Sequence, residues 1–172
     1  LEKVFGINWK IPDRKQFVWK KNWSSFSTTS MKINKTKGIW FYGMSGSGKT
    51  FASKIIAKKK KNSILIDGDD VRKFLSYDLG YSISERKIQI RRVFGIAKIA
   101  LKSNLFPIVS TAYMDKYVAN NLKKNNIHLI KIIKNLKKII KQHKTYKNKK
   151  NVVGKDIQLD QIKSKQIFNT GG

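Results

Sequence analysis

The sequence predicts a three-layer α/β fold in which a five-stranded, mostly parallel sheet is covered by helices on both faces. Short apolar segments alternate with segments of helical periodicity along most of the 172 residues. The apolar segments are hydrophobic throughout and not only at every second position, which is typical of parallel strands buried on both faces. The carboxyl ends of such strands share one edge of the sheet, where α/β proteins bind their ligands.

The first predicted strand, residues 39–42, leads directly into the phosphate-binding pattern G-x-x-x-x-G-K-T, or P-loop. Its eight positions are Gly43, Met44, Ser45, Gly46, Ser47, Gly48, Lys49 and Thr50. The glycines let successive backbone N–H groups face one anion, and Lys49 can reach the β- and γ-phosphates. The Thr50 hydroxyl is suited to a phosphate-bound Mg²⁺. A flexible Gly/Ser loop is the alternative, but the flanking strand and helix favour a nucleoside triphosphate site.

The other strands are predicted from apolar runs bounded by polar or turn-forming residues. They span residues 63–66, 105–111, 127–133 and 166–169. Pro107 lies inside the third of the five strands, which indicates an irregularity or a sheet edge at that point.

The helices are predicted from apolar spacing and from capping residues. They span residues 49–60, 71–77, 84–102, 115–124 and 135–141. Ser84 is the predicted N-cap of the longest helix, and a turn over 78–81 precedes it. Residues 144–154 are basic and are expected to form a loop.

Residues 1–37 differ from the rest and are predicted to be a basic, aromatic N-terminal extension or linker. Five aromatic residues there alternate with lysine and arginine, and a serine-rich stretch follows; the aromatic residues are Trp9, Phe17, Trp19, Trp23 and Phe26. Three interpretations stay open: a docking or nucleic-acid-binding arm, an arm that packs on the main domain, and the tail of a lost upstream domain. Residues 38–172 form the second predicted unit, the P-loop domain.

Composition limits the classes of partner. The chain has 38 Lys and Arg against 10 Asp and Glu, a formal net charge of +28. We favour compositional drift over a nucleic-acid partner, because lysine is spread along the whole chain and arginine is scarce.

The chain lacks cysteine, which excludes disulfides and thiolate metal sites. The sequence shows no signal peptide and no apolar run of membrane-spanning length, so we expect a cytoplasmic location and no membrane partner.

Charged side chains cluster after the second predicted strand. Asp67, Asp69 and Asp70 stand at its carboxyl end, on the side of the P-loop, where a carboxylate can orient an attacking hydroxyl or hold Mg²⁺. Helix capping is the alternative, and it explains one carboxylate better than three. Four of the five arginines follow within 21 positions, which favours an anion clamp; they are Arg72, Arg86, Arg91 and Arg92.

These motifs together resemble those of the adenylylsulfate kinase family over about residues 38–170. The matching segments are the P-loop, Leu65-Ile-Asp-Gly-Asp-Asp-Val-Arg72, Asp78-Leu-Gly-Tyr-Ser82, Glu85-Arg86, Ile90-Arg-Arg-Val93 and Asn151-Val-Val-Gly-Lys-Asp156. The resemblance implies a P-loop kinase fold and direct in-line transfer of the γ-phosphate of ATP, with Mg²⁺, to the 3′-hydroxyl of adenylylsulfate. The acceptor would be a small molecule, and a homodimer is compatible with this assignment.

The resemblance also implies roles for individual residues. Asp69 matches the acidic residue that faces the acceptor hydroxyl. Arg72 and Arg86 match arginines that hold the phosphosulfate, and Tyr81 matches an aromatic residue that stacks on the acceptor adenine. Lys144 matches a lysine that contacts the substrate.

Several positions depart from the family pattern on the acceptor side. Gln89 stands where the family usually has Asn, and Val152 or Val153 replaces an aromatic residue. Tyr113 replaces a serine that is sometimes proposed as a phosphorylated intermediate, which direct transfer does not need. The usual Arg-Asp becomes residues 142–143, Gln-His. The chain stops at residue 172, where the family continues into a last helix, and we interpret this as a C-terminal truncation.

The departures leave two alternatives open: a related kinase with another small hydroxyl or nucleotide-linked acceptor, and a degenerate P-loop module that binds nucleic acid.

Overall fold

The computed structural model describes residues 36–135 and 150–157, residue 162 and the backbone of residues 166–169. Within these residues five strands form one sheet: β1 Gly38–Tyr42, β2 Ser63–Asp67, β3 Phe106–Thr111, β4 Ile127–Ile133 and β5 Gln166–Asn169. Their spatial order is β2-β3-β1-β4-β5, and every neighbouring pair is parallel. Four described helices accompany them: α1 Lys49–Lys59, α2 Gly68–Phe74, α3 Ile83–Lys102 and α4 Lys116–Lys124. The predicted parallel sheet and four of its five predicted helices are confirmed, and the fifth helix, predicted over 135–141, lies almost wholly outside the described residues.

The central strand β1 is buried on both faces, and it divides the core into two layers. Trp40 and Tyr42 point to one face, where they pack with apolar residues of α3 and α4. Ile39 and Phe41 point to the other face, where they pack with Ile56 of α1. A fully buried side chain of this kind contributes about 1.5–3 kcal/mol relative to an exposed one. The uniform hydrophobicity of this strand is therefore explained by helices on both sides.

The expectation of a sheet edge or irregularity at Pro107 is wrong. β3 lies inside the sheet, between β2 and β1, and Pro107 pairs in register with Ile64. A Cβ atom on Gly38 would lie only 2.7 Å from Pro107 Cγ. The neighbouring strand therefore accommodates the proline ring because residue 38 has no side chain.

The long helix begins earlier than its predicted start, and Ser84 is not its N-cap. Ser82 is the N-cap, and it forms a capping box with Glu85: the Glu85 backbone N–H donates to Ser82 Oγ, and the Ser82 N–H donates to the Glu85 carboxylate. The box needs Glu three residues after the cap, a spacing that Ser82 has and Ser84 lacks.

α2 also begins earlier than predicted, at Gly68 and not at residue 71. Asp67 caps it, because its carboxylate accepts the backbone N–H of Asp69 at 2.9 Å. The polar first turn of this helix has no apolar periodicity, so the sequence pattern could not show where it begins.

Two predicted regions, the helix over 135–141 and the extension over 1–37, lie almost wholly outside the described residues, and the loop predicted over 144–154 is described only from residue 150 onward. Of the extension only residues 36 and 37 are described, and the Lys37 N–H donates to the Asn126 carbonyl oxygen at 2.9 Å. Among the described helices none combines the length and apolar character that crossing a bilayer requires.

Candidate active site

A cleft of about 660 Å³ lies at the carboxyl ends of the central strands. Most of the predicted site residues line it: Ser45, Gly46, Gly48, Lys49, Thr50, Asp69, Arg72, Tyr81, Arg86 and Gln89. Three other P-loop residues, Gly43, Met44 and Ser47, are not among its lining residues. Lys144 lies outside the described residues. The fold therefore brings the P-loop and the predicted acceptor residues to one cleft.

The P-loop joins β1 to α1 through glycines with positive φ. Gly43 has φ 146°, and a Cβ atom there would lie 2.2 Å from the Ile132 carbonyl oxygen of β4. Gly46 and Gly48 also have positive φ, 76° and 98°. Gly48 is the N-cap of α1, and no side chain caps this helix. The amino end of α1 is thus oriented toward the loop as anion-binding sites require.

Lys49 is buried at the base of the P-loop, with 8% of its surface exposed. Its Nζ donates to the Met44 carbonyl oxygen at 2.7 Å. Burial lowers the pKa of Lys49 to about 8, although the nearby carboxylates of Asp69 and Asp67 act in the opposite direction. The ammonium group is thus held in place before any phosphate arrives, and part of its charge is lost near pH 8.

Asp67 links three elements at the phosphate side of the cleft. Its Oδ2 accepts hydrogen bonds from Thr50 Oγ1 at 2.8 Å and from Ser110 Oγ at 2.7 Å, while Oδ1 accepts the Asp69 N–H. In the sequence, Asp67 is one of three carboxylates with no role that separates it from the others, and nothing points to Ser110. The pairing of β2 with β3 brings the two residues together, because it places Asp67 opposite Ser110.

The oxygen atoms of Thr50, Asp67 and Ser110 fit a hard cation such as Mg²⁺. In the described part of the chain no group of three or more His, Cys, Asp or Glu residues could hold a metal ion by itself. This donor set fits Mg²⁺ that enters with phosphates, because such ions take few protein ligands and keep phosphate oxygens and waters.

Asp69 lies in the first turn of α2 and lines the cleft, whereas Asp70 does not. Burial lowers the pKa of both Lys49 and Arg86, and the Asp69 carboxylate opposes this lowering at each of them. It is therefore within electrostatic reach of both the P-loop and the predicted acceptor arginines. The capping function belongs to Asp67, so capping does not account for Asp69.

Two guanidinium groups that line the cleft lie close to the Tyr81 ring. Arg72 Cζ lies 4.6 Å and Arg86 Cζ 5.4 Å from the ring centroid. Arg86 donates from Nε to the Tyr81 carbonyl oxygen at 3.0 Å and from Nη2 to the Asn151 carbonyl oxygen at 2.7 Å. Burial, followed by repulsion from Arg72, lowers the pKa of Arg86 from its ordinary value. The result is a partly buried positive region around an aromatic ring.

Two members of the predicted four-arginine clamp lie elsewhere. Arg92 forms a bidentate ion pair with Asp78, and the Arg91 guanidinium lies 5.1 Å from the centroid of the Tyr117 ring. Neither lines the cleft. Of the four arginines predicted to form a clamp, Arg72 and Arg86 line the cleft, because helical periodicity turns positions 91 and 92 of α3 away from position 86.

Gln89 is buried in the cleft wall, with 7% of its surface exposed. Its Nε2 donates to the Gly68 carbonyl oxygen at 3.1 Å, and its Oε1 has no hydrogen-bond partner within the described residues. A buried acceptor without a partner is costly. Gln89 thus offers an acceptor atom that a bound molecule with an N–H or O–H group would satisfy.

The remaining departures from the family pattern also lie at the cleft. Tyr113, Val152 and Val153 are all buried and line it. Val152 packs against Met44 of the P-loop, and Val153 joins the main core cluster. The wall is therefore closed by aliphatic side chains at 152 and 153 and by a phenol at 113. Residues 142–143 lie outside the described residues.

Comparison with known proteins gives a consistent result. The sequence model of the family described as adenylylsulphate kinase matches residues 35–151. An adenylyl-sulfate kinase of Buchnera aphidicola (subsp. Acyrthosiphon pisum) is 38% identical over 97 residues, which cover 51% of this chain and 47% of that protein. One of Pseudomonas aeruginosa is 38% identical over 96 residues, covering 54% and 49%. One of Prochlorococcus marinus is 37% identical over 118 residues, covering 60% and 58%. The chain spans about half the length of these relatives.

Solved structures support the fold. The APS kinase CysC of Mycobacterium tuberculosis, in complex with AMPPNP and APS, superposes with a TM-score of 0.68 at 20% identity, over 78% of this chain and 88% of that chain. A sugar kinase of Janibacter sp. superposes with a TM-score of 0.56 at 11% identity, over 78% and 86%. At these identities the likeness concerns the fold alone, which this chain therefore shares with kinases of different acceptors.

Proposed function

The chain belongs to the adenylylsulfate kinase family, and on this premise we propose that it is an ATP-dependent kinase for the 3′-hydroxyl of adenylylsulfate. The products would be 3′-phosphoadenylylsulfate and ADP. The observation that carries the proposal is that Asp69 lines one cleft together with Lys49 of the P-loop and with Arg86 beside Tyr81. A carboxylate that shares a cleft with two cationic regions suits the transfer of a phosphoryl group from one anionic nucleotide to another.

On the donor side, the P-loop would hold the β- and γ-phosphates of ATP. Protonated Lys49 would exchange its bond to the Met44 oxygen for a phosphate oxygen. Thr50 and Asp67 would hold Mg²⁺, which offsets charge on the phosphates when it is bound. Ser110 would keep the Asp67 carboxylate oriented through their 2.7 Å hydrogen bond.

On the acceptor side, Asp69 would orient the 3′-hydroxyl and accept its proton. The bond from the 3′-oxygen to the γ-phosphorus forms as the bond from that phosphorus to the β–γ bridging oxygen breaks, and ADP leaves with the electron pair. Arg72 and Arg86 would offset the charge of the phosphosulfate, and the Tyr81 ring would stack on adenine. Gln89 would complete this wall through its unpaired Oε1. We include Lys144 as a further substrate contact on the sequence match alone.

The test is ADP release by the purified chain with Mg·ATP, in the presence and absence of adenylylsulfate. We expect adenylylsulfate to stimulate release, and we expect Asp69→Ala to lower kcat by about 100-fold or more while nucleotide affinity is retained. Asp70→Ala is the matched control, because the neighbouring Asp70 carboxylate does not line the cleft. If adenylylsulfate does not raise ADP release above the Asp69→Ala level, the proposed function is wrong.

A second candidate is a related kinase with a different small hydroxyl or nucleotide-linked acceptor. The buried Gln89 and Tyr113 favour it, since both alter the acceptor wall relative to the family pattern. An acceptor panel of nucleotides and sugars with the same ADP readout separates the two kinases. A nucleic-acid-binding module would instead show steeply salt-dependent binding without acceptor-dependent turnover. The homodimer and the cytoplasmic location stay predictions from the sequence.

A further inference from the structure

The segment 75–82, which carries Tyr81 into the cleft, buries Ser76 but leaves its large apolar side chains at 75 and 77 exposed. Leu75 is 59% exposed and Tyr77 is 84% exposed. The segment runs between the end of α2 and the start of α3. An exposed connection of this kind is ordinarily mobile unless polar contacts fix it. Its contacts with charged side chains therefore decide where the Tyr81 ring lies.

One such contact comes from Arg92 of α3, which does not line the cleft. Arg92 donates from Nη1 to Asp78 Oδ1 at 2.5 Å and from Nη2 to Asp78 Oδ2 at 2.8 Å. The same Nη1 lies 3.4 Å from the Leu75 carbonyl oxygen. A guanidinium with two parallel bonds to one carboxylate fixes direction as well as distance. This pair is also the one ion pair found among the residues that the structure describes.

The other end of the segment is held by Glu85 and Arg72. The Glu85 carboxylate accepts the backbone N–H groups of Gly80 at 2.7 Å and Ser82 at 3.0 Å. A Cβ atom on Gly80 would lie 2.8 Å from Glu85 Oε2, so a side chain at this position would displace the carboxylate. Arg72 Nη1 donates to the carbonyl oxygens of Leu79, at 3.1 Å, and Gly80.

The contacts of the segment differ in what happens to them when an acceptor binds. Arg72 lines the cleft, so an anionic acceptor competes for its guanidinium group with the carbonyl oxygens of the segment. Asp78, Arg92 and Glu85 do not line the cleft. The bidentate pair at one end of the segment and the Glu85 contacts at the other therefore stay available to hold it while the bonds from Arg72 rearrange.

We propose that the Asp78–Arg92 ion pair positions Tyr81 for the acceptor: Asp78 and Arg92 are positioning residues that touch neither nucleotide. The inference rests on the proposed function in one respect, namely that the acceptor carries a ring that stacks on Tyr81. It predicts that loss of the pair weakens acceptor binding and leaves the P-loop side unchanged.

The first test compares steady-state kinetics of Arg92→Gln and Asp78→Asn with the unmodified chain. We expect the KM for adenylylsulfate to rise by about three- to tenfold, the KM for ATP to stay within about twofold, and kcat to change little. Arg91→Gln is the matched control, because Arg91 precedes Arg92 on α3 and its guanidinium lies over Tyr117. The double change Asp78→Arg with Arg92→Asp should restore the acceptor KM to within about threefold.

Two kinetic outcomes would overturn the proposal. One is an acceptor KM for Arg92→Gln equal to that of Arg91→Gln. The other is a parallel rise of both KM values, which would indicate general loosening of the domain and no specific effect on Tyr81.

A second measurement does not require the acceptor to be known. Amide hydrogen exchange of residues 75–82 should be faster in Arg92→Gln than in Arg91→Gln, with exchange in the P-loop unchanged. Equal exchange in the two variants would overturn the positioning role. If the unmodified chain fails to turn over adenylylsulfate, the proposed function fails, and the exchange result still decides whether the pair fixes the segment.

Discussion

At the scale of single residues, burial of Lys49 has a cost in stability, and we propose that its charge binds phosphate. Its pKa in the folded protein is lowered from 10.5 to about 8 by burial. Below pH 8 the lysine is charged in both the folded and the unfolded state, and the buried charge lowers stability. Between pH 8 and 10.5 the unfolded state binds more protons, so this group's contribution to stability rises with pH in that window.

Nucleotide binding should show the opposite trend with pH. Bound phosphates favour the protonated lysine, so binding at pH 8 should take up about half a proton, and affinity should fall as pH rises above 8. Calorimetry in buffers of different ionisation enthalpy measures this uptake. Lys49→Arg is the control, because arginine stays protonated and should abolish the uptake. Uptake of equal size in that variant would assign the proton to another group.

Asp67 is the second residue whose function can be isolated. Replacing it by Asn keeps the shape but removes the charge that faces Thr50 and Ser110. We expect Asp67→Asn to raise the Mg²⁺ concentration for half-maximal activity by about tenfold or more and to lower kcat by about 10- to 100-fold. Titration of ADP release with Mg²⁺ measures both.

Ser110→Ala serves as the comparison, since it removes one hydrogen bond to Asp67 and leaves the carboxylate in place. Its effect on the Mg²⁺ requirement should be under about fivefold. If Asp67→Asn requires no more Mg²⁺ than Ser110→Ala, the carboxylate has only its capping function in α2.

At the scale of elements, the start of α3 decides between two serines. Ser82 provides the capping box and Ser84 does not, so Ser82→Ala should cost about 1 kcal/mol of stability. For a chain of this size that corresponds to a fall in Tm of about 2–4 °C, measurable by thermal unfolding followed by circular dichroism. The Ser84 side chain is exposed, so Ser84→Ala should change Tm by about 1 °C or less. A larger fall in Tm for Ser84→Ala than for Ser82→Ala would instead assign the N-cap to Ser84.

The bounds of the strands and helices show where prediction from sequence succeeded. β4 and β5 begin and end at the predicted residues, because continuous apolar runs bounded by polar residues define them locally. α2 and α3 begin before their predicted starts, because caps and first turns are polar and have no periodicity to detect. Pro107 was misassigned because its tolerance depends on Gly38 of a neighbouring strand.

At the scale of the whole molecule, the excess of positive charge should lower stability. The formal net charge is +28, and one ion pair is present among the described residues. Mutual repulsion of so many lysines disfavours the compact state, and salt screens it. Raising NaCl from 50 to 500 mM should therefore raise Tm by about 2–5 °C.

Differential scanning calorimetry at fixed pH checks this prediction. Sodium chloride is preferable to sulfate, which would also bind in the P-loop and stabilise the fold by occupancy. Sucrose at matched osmolality provides the uncharged control. A Tm that is constant or falls with NaCl would mean that the lysines are spaced too widely to repel one another.

The sequence by itself determined the strand, loop and helix of the phosphate site and the presence of carboxylates and arginines beside it, because glycine spacing, hydrophobic runs and order along the chain are local properties. The tertiary structure alone decided which of these side chains meet. Ser110 reaches Asp67 across 43 positions because β3 lies beside β2, and Arg86 reaches Asn151 across 65 because residues 150–157 return to the cleft. Arg92 does not take part in the predicted clamp and instead pairs with Asp78, because its position on the helical turn of α3 directs it away from the cleft.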